Sequence, residues 1–256
     1  MISTQQLLSG KSIKFDGVGT FVPPTLGKIF SCAGDTHSND KYILYLNTLQ
    51  MTLKSFLKVA NLSEYYDGLS ETQKEQCTLY KFLISEETMR NVLLESFSFF
   101  IAEKVIFDEI KCEFHIVNDN NVIGCINEKN FDTVRFNILR MNCISAQEIK
   151  PLKFKSEKAR RIYEQCQKGR QELEKAKAQS KTDDKYKLEN LVAYVATKSF
   201  QYDMYNIWDL TIYQFQTILH RLNLYNQLDT YTKRWSTWGK DSFDFSTWYN
   251  NIEILK

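Results

Sequence analysis

The sequence predicts an α+β protein that is predominantly helical, and three observations carry that reading. Pro and Gly number only three and nine in 256 residues while Leu, Lys, Glu and Gln abound, a composition that favours helix over an all-β architecture. Strand-like alternation is confined to two short stretches of the first half. The chain then changes character at Lys150: residues 150–187 hold thirteen Lys/Arg against six Asp/Glu, leaving twenty basic and twenty-five acidic residues elsewhere. The near-neutral total of +2 therefore conceals an internal polarity. The expected organisation is an α+β domain with two β-hairpins over 1–149, a long charged linker helix over 150–187, and a small helical, aromatic-rich domain over 188–256.

The elements follow from local signals. Ile13 to Thr20 alternates apolar and polar residues around Asp16-Gly17, a strong hairpin signal, and Pro23-Pro24 stops the second strand. Pro24 or Thr25 then starts a short helix through Phe30. A polar loop from Gly34 to Asp40 leads to helical spacing over Tyr42 to Leu62, with Leu46, Leu49, Leu53, Phe56, Leu57 and Ala60 on one face. Ser70 and Ser85 are expected N-caps of helices running to about Ile84 and Ala102, the second carrying Met89, Val92, Leu93, Ser96, Phe97 and Phe100. Lys104 to Val117 is strand-like, Asn118 to Asn121 is a turn, and Val122 to Ile126 returns as the second hairpin. Asn130 is expected to cap a helix bearing Phe131, Val134, Ile138, Leu139 and Met141, the fifth of the first domain.

Pro151 punctuates the chain, and Ser156 is placed to cap a helix to about Ser180. Its seam of Ala159, Ile162, Cys166, Gly169, Leu173 and Ala176 has three-four spacing, but half its members are small, which allows close approach to a partner helix without driving a strong coiled coil. Thr182-Asp183-Asp184 supplies a turn before a helix marked by Leu188, Leu191, Val192, Val195 and Ser199. Asp209 or Thr211 caps a last helix with the core stripe Ile212, Phe215, Leu219 and Leu222. Three tryptophans, Trp235, Trp238 and Trp248, follow among Asp, Ser and Thr.

Composition and motifs exclude several classes of function. With 43% hydrophobic and 14% aromatic residues the chain can bury a core, which argues against wholesale disorder. No stretch approaches the roughly 18–20 apolar residues of a membrane span, and no secretory leader pattern opens the chain, so the expected setting is intracellular. The six cysteines include no Cys-x-x-Cys pair and are expected to be reduced, buried thiols. No phosphate loop, nucleophile elbow or His-Glu-x-x-His helix is present. Asp16-Gly17-Val18-Gly19 resembles half a phosphate-binding loop but lies within a hairpin, so turn glycine is the better reading. His37, His115 and His220 sit in separate segments; Cys112 and His115, three apart on a strand, would face opposite ways. Glu86-Glu87 and Asp183-Asp184 fall at helix starts, where negative charge complements the dipole. The expectation is no catalytic residue, no metal and no cofactor.

The basic helix raises nucleic-acid binding as an alternative, since Lys and Arg neutralise phosphates and aromatics stack on bases. Its charges are interleaved with Glu157, Glu164, Glu172 and Glu174, however, which reads first as a solvated, self-paired surface. The aromatic-rich C-terminal part suits contact with another protein, and Trp208, Tyr213, Trp235 and Trp238 are the candidate partner-binding residues. The competing reading is that Trp208, Phe215 and Leu219 close the local core. Self-association is left open.

Two segments carry a resemblance: Phe15-Asp16-Gly17-Val18-Gly19-Thr20-Phe21-Val22-Pro23-Pro24-Thr25-Leu26, and Ile207-Trp208-Asp209-Leu210-Thr211-Ile212-Tyr213-Gln214-Phe215, with a Lys/Glu-rich linker helix between. In that order they resemble tail-module proteins of bacteriophages of Gram-positive bacteria, and most of all tail assembly chaperones. The resemblance implies a non-enzymatic factor of the host cytoplasm that binds the phage tape-measure protein, recruits tail-tube subunits and is absent from the finished particle. Many such chaperones are shorter, and the α+β first domain departs from them. A resident structural component of a tail or baseplate is therefore the alternative.

Overall fold

The computed structural model describes residues 2–32, 40–119, 121–144 and 187–239. The expected charged helix, apart from Lys187, lies outside the described residues, as do His37, Cys166 and Trp248. The fold is α+β, with helices dominating and two small antiparallel sheets in the first part of the chain.

The first sheet is the expected hairpin. Strands β1 (Ile13–Phe15) and β2 (Gly19–Phe21) pair Ile13 with Phe21 and Phe15 with Gly19, around a turn in which Gly17 takes φ 73°. Its far edge is not free. Val22 N donates to Phe100 O at 2.8 Å and Ala102 N to Thr20 O at 2.9 Å, so the hairpin docks on the segment that leaves the long helix α8 (Glu87–Phe100). The Glu103 carboxylate accepts from Thr20 N at 2.9 Å and Thr20 Oγ1 at 2.8 Å. Burial alone would raise the Glu103 pKa, but these hydrogen bonds outweigh it and hold the group below its ordinary value.

The second sheet differs from the expected hairpin. It is a three-stranded meander of β3 (Lys104–Asp108), β4 (Glu113–Asn118) and β5 (Asn121–Ile126). The extra turn arises because Asp108 Oδ1 accepts from Ile110 N at 2.9 Å and Lys111 N at 3.1 Å, folding the chain back, with Cys112 at φ 53°. Its inner face carries Val105, Phe114, Ile116 and Ile126, all buried. The tip of the first hairpin rests on β5: Gly17 O accepts from Cys125 N at 3.0 Å, and a Cβ on Gly124 would lie 2.6 Å from Gly17 O. Only glycine permits that approach.

The helices correct the sequence expectation in several places, a short extra helix among them. The helix expected over Tyr42 to Leu62 is two, α3 (Asp40–Gln50) and α4 (Leu53–Val59), because Thr52 and Ser55 form a capping box that restarts the chain. Arg135 Nη1 donates to Leu49 O and Met51 O at that break. After the short helix α5 (Ser63–Asp67), the expected Ser70 helix splits into α6 (Glu71–Gln76) and α7 (Leu79–Ser85), with Thr78 capping the second. Ser85 ends α7, and Glu86 holds the N-cap position of α8. An unexpected helix α1 (Thr4–Ser9) opens the chain on a Ser3–Gln6 capping box, so nine helices precede residue 145 among the described residues. Alongside these stand α2 (Leu26–Ser31), capped by Thr25, and α9 (Phe131–Met141), which starts after Asn130; the Asn130 side chain does not cap it, because its Oδ1 accepts from Asn127 N at 2.9 Å and its Nδ2 donates to Cys125 O at 2.8 Å.

The later elements are α10 (Leu188–Lys198), a 3-10 turn over Ile207–Asp209 and the 27-residue α11 (Ile212–Trp238). Their buried residues Val192, Val195, Ile207, Leu210, Ile212, Tyr213 and Phe215 belong to the same hydrophobic cluster as Leu7, Leu26, Phe97, Phe114 and Ile138. Main-chain bonds run across: Leu26 N to Leu210 O at 2.9 Å and Ile212 N to Pro24 O at 3.0 Å. Gln214 Nε2 reaches Leu8 O at 3.0 Å. The five described cysteines are unbridged, but none is fully buried and Cys112 is exposed; burial nevertheless pushes the Cys143 thiol up to about 12.

Two outcomes are expected. Because the Glu103 pKa is held below 4.5, its contribution to stability is present above that value and is lost as pH falls through the lowered one. Glu103→Gln should therefore flatten the acid limb of the urea-midpoint profile; parallel acid limbs for variant and wild type would refute the assignment. Secondly, a protease site engineered between Ile144 and Lys187 should, once cut, leave two pieces that co-elute in native gel filtration, since each covers apolar surface of the other. Separate elution of two folded pieces would show independent domains.

Candidate protein-interaction surface

Residue chemistry is sparse. Among the described residues no group of three or more His, Cys, Asp or Glu is arranged to hold a metal ion. The nearest approach is His115, whose Nε2 lies 2.9 Å from Glu113 Oε1 and 3.8 Å from Asp108 Oδ2. Cys112 sits in the preceding turn, not on the strand with His115. Burial pushes the Cys125 thiol up, against nucleophile character. Gly17 and Gly19 shape the hairpin turn and no helix follows them directly, and Glu87 lies in the first turn of α8 as its dipole favours. Among the described residues no helix is long and apolar enough to cross a membrane.

Apolar surface is more informative. Thr211 caps α11: its Oγ1 accepts from Gln214 N at 3.3 Å while Gln214 Oε1 accepts from Thr211 N at 3.0 Å. The first turns then bury Ile212, Tyr213 and Phe215, and half-bury Leu219 and Leu222. From Thr230 to Gly239 every residue is exposed. One helix thus begins in the core and ends in solvent.

The four aromatic residues singled out in the sequence meet different fates. Tyr213 is buried, and desolvation raises its pKa; its ring closes the core over α1, so it presents no partner-facing surface. Trp208 is half-buried, edge-on to Phe30 at 5.1 Å, with Nε1 donating to Met204 O at 2.8 Å. Gly27 makes room for it: a Cβ there would lie 3.3 Å from Trp208 O. Trp235 and Trp238 are 55% and 71% exposed on the last turns of α11. Structure therefore separates two residues that pack into the body from two that are largely exposed.

Sequence reasoning missed Phe200. Helix α10 ends at Lys198, and Ser199 Oγ accepts from Gln201 N and Tyr202 N, both at 3.2 Å. Further on, Asp203 Oδ1 accepts from Tyr205 N and Asn206 N, and Asn206 Nδ2 donates to Gln201 O. This braced loop turns Phe200 fully into solvent while Tyr202 packs against the core. Beside it lies a groove of about 430 Å³ along α11, floored by Ile218 and Leu222, with Tyr225 further along and Lys198 and Arg221 on the rim. The available signal was that Phe200 breaks the phase of the Leu188, Val192, Val195 stripe immediately after a capping serine.

Residues 177–253 match the family model of the YomV second domain, a phage-derived family. The match spans α10, the 3-10 turn and α11, hence both the groove and the exposed aromatic end, and covers under half of the chain. No curated protein and no solved structure matches.

The separation of roles has a measurable consequence. Trp208→Ala should lower stability by about 2 kcal/mol or more, since it empties packing against Phe30 and Gly27. Trp238→Ala should change the stability of dilute protein by less than about 0.5 kcal/mol. Chemical denaturation of both variants checks this; equal losses would mean that Trp238 is also a packing residue.

Proposed function

We propose that this protein is a non-enzymatic phage assembly factor, a tail assembly chaperone that binds the tape-measure protein in the host cytoplasm and recruits tail-tube subunits. The observation that carries the reading is the apolar groove beside Phe200, lying within the one segment similar to a phage-derived family. A tape measure is a long amphipathic helix that aggregates when its apolar face is exposed. Such a helix binds by laying residues spaced i, i+3/i+4, i+7 into an apolar groove. Ile218, Leu222 and Tyr225 line one with that periodicity, and Phe200 adds a fully exposed aromatic anchor at its edge. Lys198 on the rim favours a partner helix with an acidic flank.

A resident structural role in a tail or baseplate is the second reading. One core spanning the α+β body and the C-terminal helices favours it, being more elaborate than a helix clamp needs. Co-expression with a tape-measure fragment should keep that fragment soluble and in complex through gel filtration. Phe200→Asp, an exposed change that spares folding, should reduce the recovered complex at least tenfold. A fragment that stays insoluble with the wild-type protein would sink the chaperone reading. Mass spectrometry of washed virions separates the two: stoichiometric presence supports the resident component, absence the transient one.

A further inference from the structure

The turn between β3 and β4 closes on two carboxylates that face one another. Asp108 and Glu113 are direct cross-strand partners in the last rung of the ladder, so like charges meet on the outer face of the meander, an arrangement that weakens a strand pair. His115, two residues further along β4, lies on that same face, paired with Ile106 of β3 and Cys125 of β5. Its Nε2 is 2.9 Å from Glu113 Oε1 and 3.8 Å from Asp108 Oδ2. The imidazole side chain is 11% exposed and the two carboxylates 19% and 24%, so water and salt screen the three groups only in part.

Asp108 has a second task. Its Oδ1 accepts from Ile110 N and Lys111 N, the two bonds that fold the chain back into the turn. One carboxylate thus braces the turn through one oxygen and meets His115 through the other. The amide hydrogen bonds, with help from the His115 and Lys111 charges, outweigh desolvation and hold the Asp108 carboxyl below its ordinary value. The other charged or titratable groups around His115 do not bridge the pair. Lys111 acts on Asp108 and Cys125 but is exposed, as are Glu109, Cys112 and Lys104. Burial pushes the Cys125 thiol up, and it does the same to the Tyr80 phenol of α7, whose Oη donates to Cys112 O and Ile126 O. Arg90 of α8 lies over the Phe107 ring, which belongs to the opposite face of β3.

We propose that His115 is a proton-operated clasp on this turn: as an imidazolium it bridges Asp108 and Glu113 and holds the turn shut, and on losing its second proton it leaves two opposed carboxylates that loosen residues 109–112. A neutral imidazole still donates Nε2–H to Glu113, but it has no charge to offset the second carboxylate. The clasp needs His115 protonated and both acids ionised. It therefore weakens as pH rises through the titration of His115, histidine being the side chain whose charge changes in the physiological range. The change is local, because Phe114 and Ile116 on the inner face are packed in the core whatever the charge outside.

Hydrogen exchange of the full chain, followed by mass spectrometry on peptides covering the turn and corrected for the intrinsic pH dependence of exchange, tests the clasp. Between about pH 5.5 and 8, protection of the turn should fall about fivefold while that of α9 stays constant. His115→Gln, which keeps a neutral donor, should show the low protection at both ends of the range. Glu113→Gln, which removes the repulsion, should keep the turn protected throughout. Wild-type protection that does not change with pH would overturn the proposal, and so would a wild-type pH dependence surviving in His115→Gln. Should His115→Gln fail to fold, Glu113→Gln decides alone: a pH dependence equal to that of wild type refutes the clasp, and its loss supports it. A parallel loss of protection in α9 would place the effect on the whole fold and equally refute a local clasp.

Discussion

Two threonines set the architecture. Thr25 and Thr211 each cap a helix through Oγ1, on Lys28 N and Gln214 N respectively, and their backbones lie side by side as an antiparallel bridge. Leu26 N to Leu210 O and Ile212 N to Pro24 O complete the ladder. Each threonine therefore does two jobs at once: its side chain satisfies an amide of its helix's first turn, and its backbone marks the junction with the other helix start. Groups that would otherwise be orphaned at two helix N-termini are satisfied by one small ladder. The directions of α2 and α11 are fixed relative to one another, and with them the position of everything that α11 presents.

From that junction the functional surfaces follow. Because α11 starts inside the core and runs straight for 27 residues, about 40 Å at 1.5 Å per residue, it must leave the body. Its first turns bury Ile212 and Phe215 and thereby hold the groove floor, Ile218 and Leu222, at the protein's edge. Tyr194 on α10 accepts from Asn226 Nδ2, tying the two helices alongside the groove. The braced loop after α10 fixes Phe200 next to that floor. A surface built this way is held by capped helices and side-chain-to-backbone bonds, and needs little reordering on binding.

Polar groups inside the body stand where the chain changes direction. Tyr42 Oη donates to Asn142 Oδ1 at 2.6 Å, Asn137 Oδ1 accepts from Ile2 N at 3.1 Å, and Tyr80 Oη donates to Cys112 O at 2.9 Å. Each joins segments distant in sequence and answers a buried donor or acceptor that would otherwise cost about 1–3 kcal/mol. Thr78 adds another: it caps α7 while its hydroxyl donates to Glu128 Oε1 at 2.9 Å. The broken helices of the first half are thus pinned at their breaks.

What the sequence determined by itself was every feature whose cause lies within about four residues. Asp16-Gly17 placed the first hairpin, Pro24 or Thr25 and Asp209 or Thr211 bracketed two helix starts that fall at Thr25 and Thr211, α9 was placed from Asn130 onward, and the stripe of Phe131, Val134, Ile138, Leu139 and Met141 named its buried face. Even the missed helix α1 and the breaks at Thr52 and Thr78 were written as caps; the unbroken apolar periodicity across them hid the interruption. Tertiary structure alone decided the rest, because burial depends on surfaces brought from far along the chain. Tyr213 and Trp235 are both aromatic residues on one helix, yet the first is 4% exposed and the second 55%. No periodicity distinguishes them; only the point at which α11 leaves the core does.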